Sequence, residues 1–182
     1  LVPRALIRGI RERMDYKGNE VVPLSLSEAE KAVKDLIEES VDGIAVSFLH
    51  SWSNPAHENS VMELIERIAR GKGIYVSLGS RLARVSGEYA RANTAIINAY
   101  VGPAMNRYLT SLEMKLKDKG FNGTLLVMQG NGGTSNVAET IPIQNLQSGP
   151  AGGVAATSHM STMMRHRNAI AADMGGTSFD AS

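Results

Sequence analysis

The stretch from Gly43 to Leu78 restricts the fold more than any other part of the sequence. Gly43-Ile44-Ala45-Val46-Ser47-Phe48-Leu49 is a short apolar run bounded by turn residues, the pattern of a strand buried on both faces. In the next segment, His50-Ser51-Trp52-Ser53-Asn54-Pro55, Asn54 can cap free amides and Pro55 can sit at the first helical position, where its missing N–H costs nothing. Val61, Leu64, Ile65 and Ile68 then share one helical face, Gly71 and Gly73 end the helix, and Ile74 to Leu78 reads as a second strand. Strand, helix and strand joined by short loops make a βαβ unit, which pairs its strands in parallel. The expected class is α/β.

The flanking sequence fits that class. Residues 1 to 23 read as two short extended pieces with a turn at Gly18-Asn19. Ser27, with Glu30 three residues on, has the form of a capping box, and Ala29, Val33, Leu36 and Ile37 give that helix an apolar face as far as Glu39. Ser86 to Lys119 reads as one long helix, with Tyr89, Ile96, Tyr100, Tyr108, Leu112 and Leu116 among its apolar contacts. Gly102-Pro103 should kink or divide it, because proline removes a backbone bond and clashes with the preceding turn. A strand at Thr124–Met128 runs into the glycine loop Gln129–Thr134. A small-residue helix from Ser148 to about His166, a strand at Ala169–Ala172 and a glycine turn complete the chain. The boundary between domains is expected between Leu78 and Ser86. The nine methionines are spread out and read as core filler.

Charge and composition exclude several roles. Nineteen basic and 18 acidic residues leave a net charge of +1, too small for a field that draws in nucleic acid or an anionic membrane. The basic groups around Arg4–Arg13 and Arg165-His166-Arg167 lack interleaved aromatics and read as solvated surface. Without cysteine there is no disulfide, thiolate metal site or cysteine nucleophile. No apolar stretch approaches the roughly 18 residues of a membrane helix, and no basic-then-apolar signal opens the chain. Leu1-Val2-Pro3-Arg4 runs straight into Ala5-Leu6-Ile7-Arg8 and reads as native sequence. The last residues, Asp180-Ala181-Ser182, fall where a returning strand should begin, so the chain is expected to be a fragment of a longer polypeptide.

The residues with the clearest chemistry are Asp173-Met174-Gly175-Gly176-Thr177-Ser178-Phe179-Asp180. A strand delivers Asp173 to a turn whose two glycines let backbone N–H groups approach an anion, while Thr177 and Ser178 add hydroxyl donors. Asp173 is placed to hold Mg²⁺ directly or through water. The same residues also suit a plain hairpin whose glycines supply positive φ. The preceding helix favours the phosphate reading: Gly149, Ala151, Gly152, Ala155 and Ala156 leave a face so bare that its poor propensity needs a packing reason. His50, His57 and Glu58 are close in sequence. The last two are neighbours on a helix and point about 100° apart, so capping and local hydrogen bonding explain them better than a metal. Glu88 and Arg91 are spaced to pair on the long helix, where Arg91, Asn93 and Asn98 are open to a substrate contact. The Gln129–Thr134 loop could cradle a ligand or form only a turn.

Ser148-Gly-Pro-Ala-Gly-Gly153 followed by Asp173-Met-Gly-Gly-Thr-Ser178 resembles the hydantoinase A, 5-oxoprolinase and acetone carboxylase β-subunit family. So do Ala45-Val46-Ser47-Phe48-Leu49-His50-Ser51 with Asn54-Pro55-Ala56-His57-Glu58, Glu88-Tyr89-Ala90-Arg91-Ala92-Asn93-Thr94 with Asn98-Ala99-Tyr100-Val101, and Val127-Met128-Gln129-Gly130-Asn131-Gly132-Gly133. They occur in the family's order. Gly130 stands where the family commonly has serine or alanine, and Phe179 where it commonly has threonine. The resemblance implies a ribonuclease-H-like fold of the actin, sugar kinase and heat-shock chaperone ATPase type, with a parallel-mixed sheet and helices, present here as an incomplete fragment. It implies residues 1–82 as the C-terminal part of the family's N-terminal region, and 83–182 as the start of the hydantoinase A domain, ending in the second phosphate hairpin. ATP and Mg²⁺ are the implied cofactors. Asp173 and Thr177 would be catalytic, with Asp173 holding the metal. Gly152, Gly153, Gly175, Gly176, Thr177 and Ser178 would line the nucleotide. The implied activity is ATP-dependent opening of a cyclic amide such as hydantoin or 5-oxoproline, with ketone carboxylation or an ATP-gated chaperone-like binding module as alternatives. Implied partners are a small carbonyl substrate, the rest of the same polypeptide, and a hydantoinase B-type subunit or further copies of the chain, in the cytoplasm, without nucleic acid or membrane.

Overall fold

The computed structural model describes residues 2–182, so Leu1 of the opening Leu-Val-Pro-Arg run lies outside the described residues. The chain forms two compact units, divided between Ala104 and Met105. The first opens with an antiparallel hairpin, β1 (Arg13–Met14) and β2 (Glu20–Val22). Its turn uses Gly18 at φ +84°, a conformation that glycine adopts without strain. α1 (Leu26–Glu38) starts before the expected cap at Ser27. The Ser25 carbonyl already accepts from the Ala29 amide at 3.0 Å, and Glu30 is drawn to Lys34 at 2.7 Å, so the capping box does not form.

β3 (Gly43–Val46) and β4 (Tyr75–Leu78) pair in parallel, Gly43 opposite Tyr75 through Val46 opposite Leu78, with α2 (Ala56–Ile68) as the crossover. Asn54 Oδ1 accepts from the Ala56 amide at 3.0 Å, but α2 starts at Ala56 with Pro55 at the cap position, one residue later than expected. Ala29 and Val33 of α1, Val61, Leu64 and Ile65 of α2, and Ile44, Val46 and Leu78 of the strands form one core cluster. The short helix α3 (Gly79–Leu82) leads to α4 (Glu88–Asp118), which runs unbroken through Pro103.

The buried face of α4 differs from the expected aromatic one. Tyr89 and Tyr100 are 84% exposed and Tyr108 64%, whereas Arg91, Ala95, Asn98, Ala99 and Leu109 are buried. Close packing is the reason. A Cβ on Gly43 would lie 2.5 Å from the Ala99 carbonyl oxygen, and one on Gly102 would lie 2.5 Å from the Tyr75 ring. Only small residues fit a helix lying this near a strand.

In the second unit, β5 (Leu126–Met128) and β6 (Thr134–Asn136) form an antiparallel hairpin. Short 3-10 turns at Val137–Glu139 and Pro142–Asn145 lead to α5 (Ser148–Met163). The last hairpin is β7 (Ala172–Met174) with β8 (Phe179–Ala181), so the expected strand at Ala169–Ala172 begins three residues later. The class is α/β, and the described strands form four two-stranded sheets, of which β3–β4 alone is parallel. Beyond Ala104 the buried residues are Leu109 and Pro142. Methionine is core filler at Met14 and Met62, whereas Met114, Met160, Met163, Met164 and Met174 are exposed. No helix among the described residues is long and apolar enough to cross a membrane.

Gly43→Ala is expected to lower stability by about 1–3 kcal/mol, because the added methyl meets backbone that cannot turn aside. The shift of the urea midpoint at constant slope measures it; an unchanged midpoint would show that α4 lies farther from β3.

Candidate functional site

Two polar constellations stand out, one in each unit. In the second unit, register brings two carboxylates together. Asp173 on β7 lies directly opposite Asp180 on β8, and opposed residues of an antiparallel pair project to the same face. Like charges so placed repel, and a cation between them would relieve the repulsion. Both line a cavity of about 370 Å³ with Ala171 and Ser182, and across it stand Gln147, Pro150, Gly153 and Val154. Pro150, Gly153 and Val154 fall on one face of the first two turns of α5, by their spacing of three and four residues, and Gln147 immediately precedes that helix.

The chemistry of this cavity is mixed in sign. Gln147 holds a left-handed backbone, φ +59°, at the cap of α5, and the first turn of that helix contains no acidic residue. Unpaired amides at a helix start favour an anion, while the carboxylate pair favours a cation. A phosphate carrying a divalent cation satisfies both. Among the described residues no group of three or more His, Cys, Asp or Glu side chains could hold a metal. A cation here would therefore take most of its ligands from water and phosphate oxygens, as Mg²⁺ does.

The turn beyond the cavity separates the expected donors. The Gly175 amide donates to the Ser178 carbonyl at 3.0 Å and closes the turn, and Ser178 Oγ lies 3.3 Å from Asp180 Oδ2. Gly175 and Gly176 do not supply the positive φ that a plain hairpin turn would require of them. A Cβ on Gly176 would meet nothing within 4 Å, and one on Gly175 only the Ser178 carbonyl at 3.8 Å. The chain's own packing thus demands neither glycine. Of the expected residues, Asp173 and Gly153 line the cavity, Gly175 to Ser178 form the adjoining turn, and Gly152 instead packs on Met128, its Cβ position 3.4 Å from Cε. Asp180, the last residue of that stretch, joins the lining. Gln147 is an addition, and its only sequence signal was a polar residue just before a Ser-Gly-Pro helix start.

The glycine loop Gln129–Thr134 is a turn. Its amides are engaged internally: Gln129 to the Gly133 carbonyl, Gly132 to the Gln129 carbonyl, Gly133 to Asn131 Oδ1 and Gly130 to the Gln144 carbonyl. A Cβ on Gly130 would come 2.6 Å from the Leu146 carbonyl oxygen, so close backbone contact explains that glycine.

In the first unit a buried network gathers at the carboxyl ends of β3 and β4. Glu58, fully buried, accepts from the Phe48 amide at 3.0 Å and the Ser80 amide at 2.9 Å. Arg91, also fully buried, donates to the Phe48 carbonyl at 2.9 Å and the Val85 carbonyl at 2.7 Å, and lies 3.4 Å from Glu88. The Glu88 carboxyl is held below its ordinary pKa by the backbone N–H of its own residue, then by the His50 amide and Arg91. Asn98 donates to Ser77 Oγ and the Tyr75 hydroxyl, each at 3.1 Å. The expected Glu88–Arg91 pair is present, and the internal bonds account for Arg91. Hydrogen bonding of His57 is long-range rather than local: its ring nitrogens contact Glu12 at 2.9 Å and Glu20 at 2.8 Å.

Two stretches of the chain match known families. A profile for hydantoinase/oxoprolinase matches residues 91–182, and one for the hydantoinase/oxoprolinase N-terminal region matches residues 1–69. The acetone carboxylase beta subunit of Xanthobacter autotrophicus is 34% identical over 184 residues, covering 100% of this chain and 26% of that protein. 5-oxoprolinase 1 of Arabidopsis thaliana is 33% identical over 152 residues, 82% of this chain and 12% of that protein. The crystal structure of the ATP-dependent caprolactamase from Pseudomonas jessenii matches with a TM-score of 0.89 at 31% identity, over 99% of this chain and 26% of that one. The chain spans about a quarter of the length of the first curated relatives it matches.

Because Asp173 and Asp180 oppose each other, Asp180→Asn should slow amide exchange across β7–β8 about twofold in metal-free buffer. Mg²⁺ should slow exchange in the native chain and have less effect in the variant. Equal exchange in both, with and without Mg²⁺, would remove the carboxylate pair from the site.

Proposed function

This chain belongs to the hydantoinase/oxoprolinase family, and on that premise we propose that it carries one half of the phosphate site of an ATP-dependent enzyme acting on a small carbonyl compound. The observation that carries the reading is the carboxylate pair Asp173 and Asp180 facing the opening turn of α5 across one cavity. The two glycines that the chain's own packing does not require add support, since they leave space for a ligand at the turn.

On this reading Asp173 holds Mg²⁺, with Asp180 opposite it. The Gly176 and Thr177 amides and the Thr177 and Ser178 hydroxyls donate to phosphate oxygens, and Gly153 gives the nucleotide room beside α5. Mg²⁺ supplies charge neutralisation on the phosphates, and preorganised donors at the turn favour the charge that develops during phosphoryl transfer. The acceptor is an amide-type oxygen of a cyclic amide, hydantoin or 5-oxoproline, whose activated ring then opens to water. Similarity to an ATP-dependent caprolactamase and a 5-oxoprolinase supports this reaction class. Similarity to an acetone carboxylase subunit supports a second reading, with a ketone oxygen as acceptor and carboxylation as the outcome.

The finer fold proposed is ribonuclease-H-like, of the actin and sugar kinase type, with this hairpin as the second phosphate loop and the first supplied by the remainder of the polypeptide. Residues 1–82 then end the family's N-terminal region and 83–182 begin the hydantoinase A domain; the profiles leave residues 70–90 between them. A hydantoinase B-type subunit or further copies of the chain would complete the enzyme in the cytoplasm, where ATP is supplied.

In the complete protein, Asp173→Ala should abolish ATP hydrolysis stimulated by hydantoin, 5-oxoproline or acetone, measured as phosphate release. Near-normal turnover would discard the assigned role. Gly176→Ala should leave the folded state unchanged, since the methyl enters open space, while weakening ATP binding at least tenfold. Unchanged nucleotide affinity would show that the turn does not approach the phosphates.

A further inference from the structure

His57 lies outside the proposed phosphate site, and its surroundings are unusual for a histidine. Its side chain is 7% exposed, and each ring nitrogen meets a carboxylate from a different part of the hairpin. Nδ1 lies 2.9 Å from Oε2 of Glu12, ahead of β1, and Nε2 lies 2.8 Å from Oε2 of Glu20 on β2. A carboxylate only accepts hydrogen bonds, so each ring nitrogen has to donate, and only imidazolium carries two N–H groups. Beside this contact, Asn54 Nδ2 donates to the Gly18 carbonyl at 2.8 Å, resting the hairpin tip on the loop that follows β3.

We propose that His57 is a charged latch strapping the β1–β2 hairpin onto α2 and the loop after β3, and that loss of its proton frees the hairpin. The two carboxylates contacting the ring are unequal: Glu12 is 6% exposed and Glu20 51%. A neutral ring turns a lone pair toward one of them, and the half-exposed Glu20 is the partner that water can take over. Release therefore starts at β2. Glu58, the next residue on α2, accepts from the Phe48 and Ser80 amides, and Asp15 at the hairpin tip is bonded to Lys17 and Asn19.

Burial works against the charge on His57, but the hydrogen bonds and charges of Glu12 and Glu20 outweigh it and raise the pKa above the ordinary 6.5. The sign follows from that direction. A raised folded-state pKa gives stabilisation that is complete below about pH 6.5 and is lost as pH rises through the raised value. The latch is closed below the raised pKa, while Glu12 and Glu20 remain ionised, and opens as pH rises through that value.

Nitrogen NMR of the imidazole rings in the full chain tests this, combined with amide exchange of residues 13–22 corrected for intrinsic base catalysis. Both ring nitrogens of His57 should carry protons at pH 6.5, with a titration midpoint above that value. From pH 6.5 up to that midpoint, hairpin protection should fall relative to α2, by at most about tenfold per pH unit, and should level off above it, the dependence expected for one proton. Glu20→Gln, at a half-exposed position that tolerates substitution, should lower the midpoint and quicken hairpin exchange. A midpoint at or below 6.5, a hairpin that keeps pace with α2 throughout, or a midpoint unmoved by Glu20→Gln would each overturn the proposal.

Discussion

The peptide unit around Phe48 is held from both sides by buried charge, and the first unit is organised around that grip. Glu58 takes its N–H and Arg91 takes its carbonyl, so a loop at the end of a parallel strand is fixed by one side chain from α2 and one from α4. The second oxygen of Glu58 reaches Ser80 after β4, and the second nitrogen of Arg91 reaches Val85 before α4. Two buried ions would be costly alone; here each carries two hydrogen bonds to backbone groups. Removing either partner leaves an uncompensated charge and frees two loops together.

That grip works because α4 comes so close. Gly43 and Ala99 bring backbone against backbone, and Gly79 leaves space for the stem of Arg91, whose Cγ lies 3.0 Å from where a Cβ would stand. Small residues on the strands and the helix therefore decide where the guanidinium arrives. The three tyrosines of α4 are left on its outer face as a consequence.

The second unit has a different character. With Leu109 and Pro142 as its buried residues, it is organised by hairpins and one small-residue helix, and a two-stranded hairpin is marginal alone. Its polar groups are correspondingly open. Asp173 and Asp180 oppose each other, and a Cβ on Gly176 would meet nothing within 4 Å among the described residues. In the first unit Glu58, Arg91 and Asn98 bond within the fold and build the scaffold; in the second the carboxylates of Asp173 and Asp180 are exposed, which suits a ligand.

Periodicity and turn chemistry determined the βαβ unit and the long helix, because these follow from the spacing of apolar residues and from turn residues within a few positions. The stretch from Asp173 to Asp180 was equally legible as a hairpin bearing carboxylates and hydroxyls. Sequence could not determine which side of α4 is buried, since a close approach of backbones replaces the usual rule that large apolar residues face inward. Nor could it pair His57 with Glu12 and Glu20, which lie 45 and 37 residues away. The same holds for Gln147 and Asp180 in one cavity. Such contacts depend on where separate elements come to rest, and a local pattern carries no information about that; only the tertiary structure decided them.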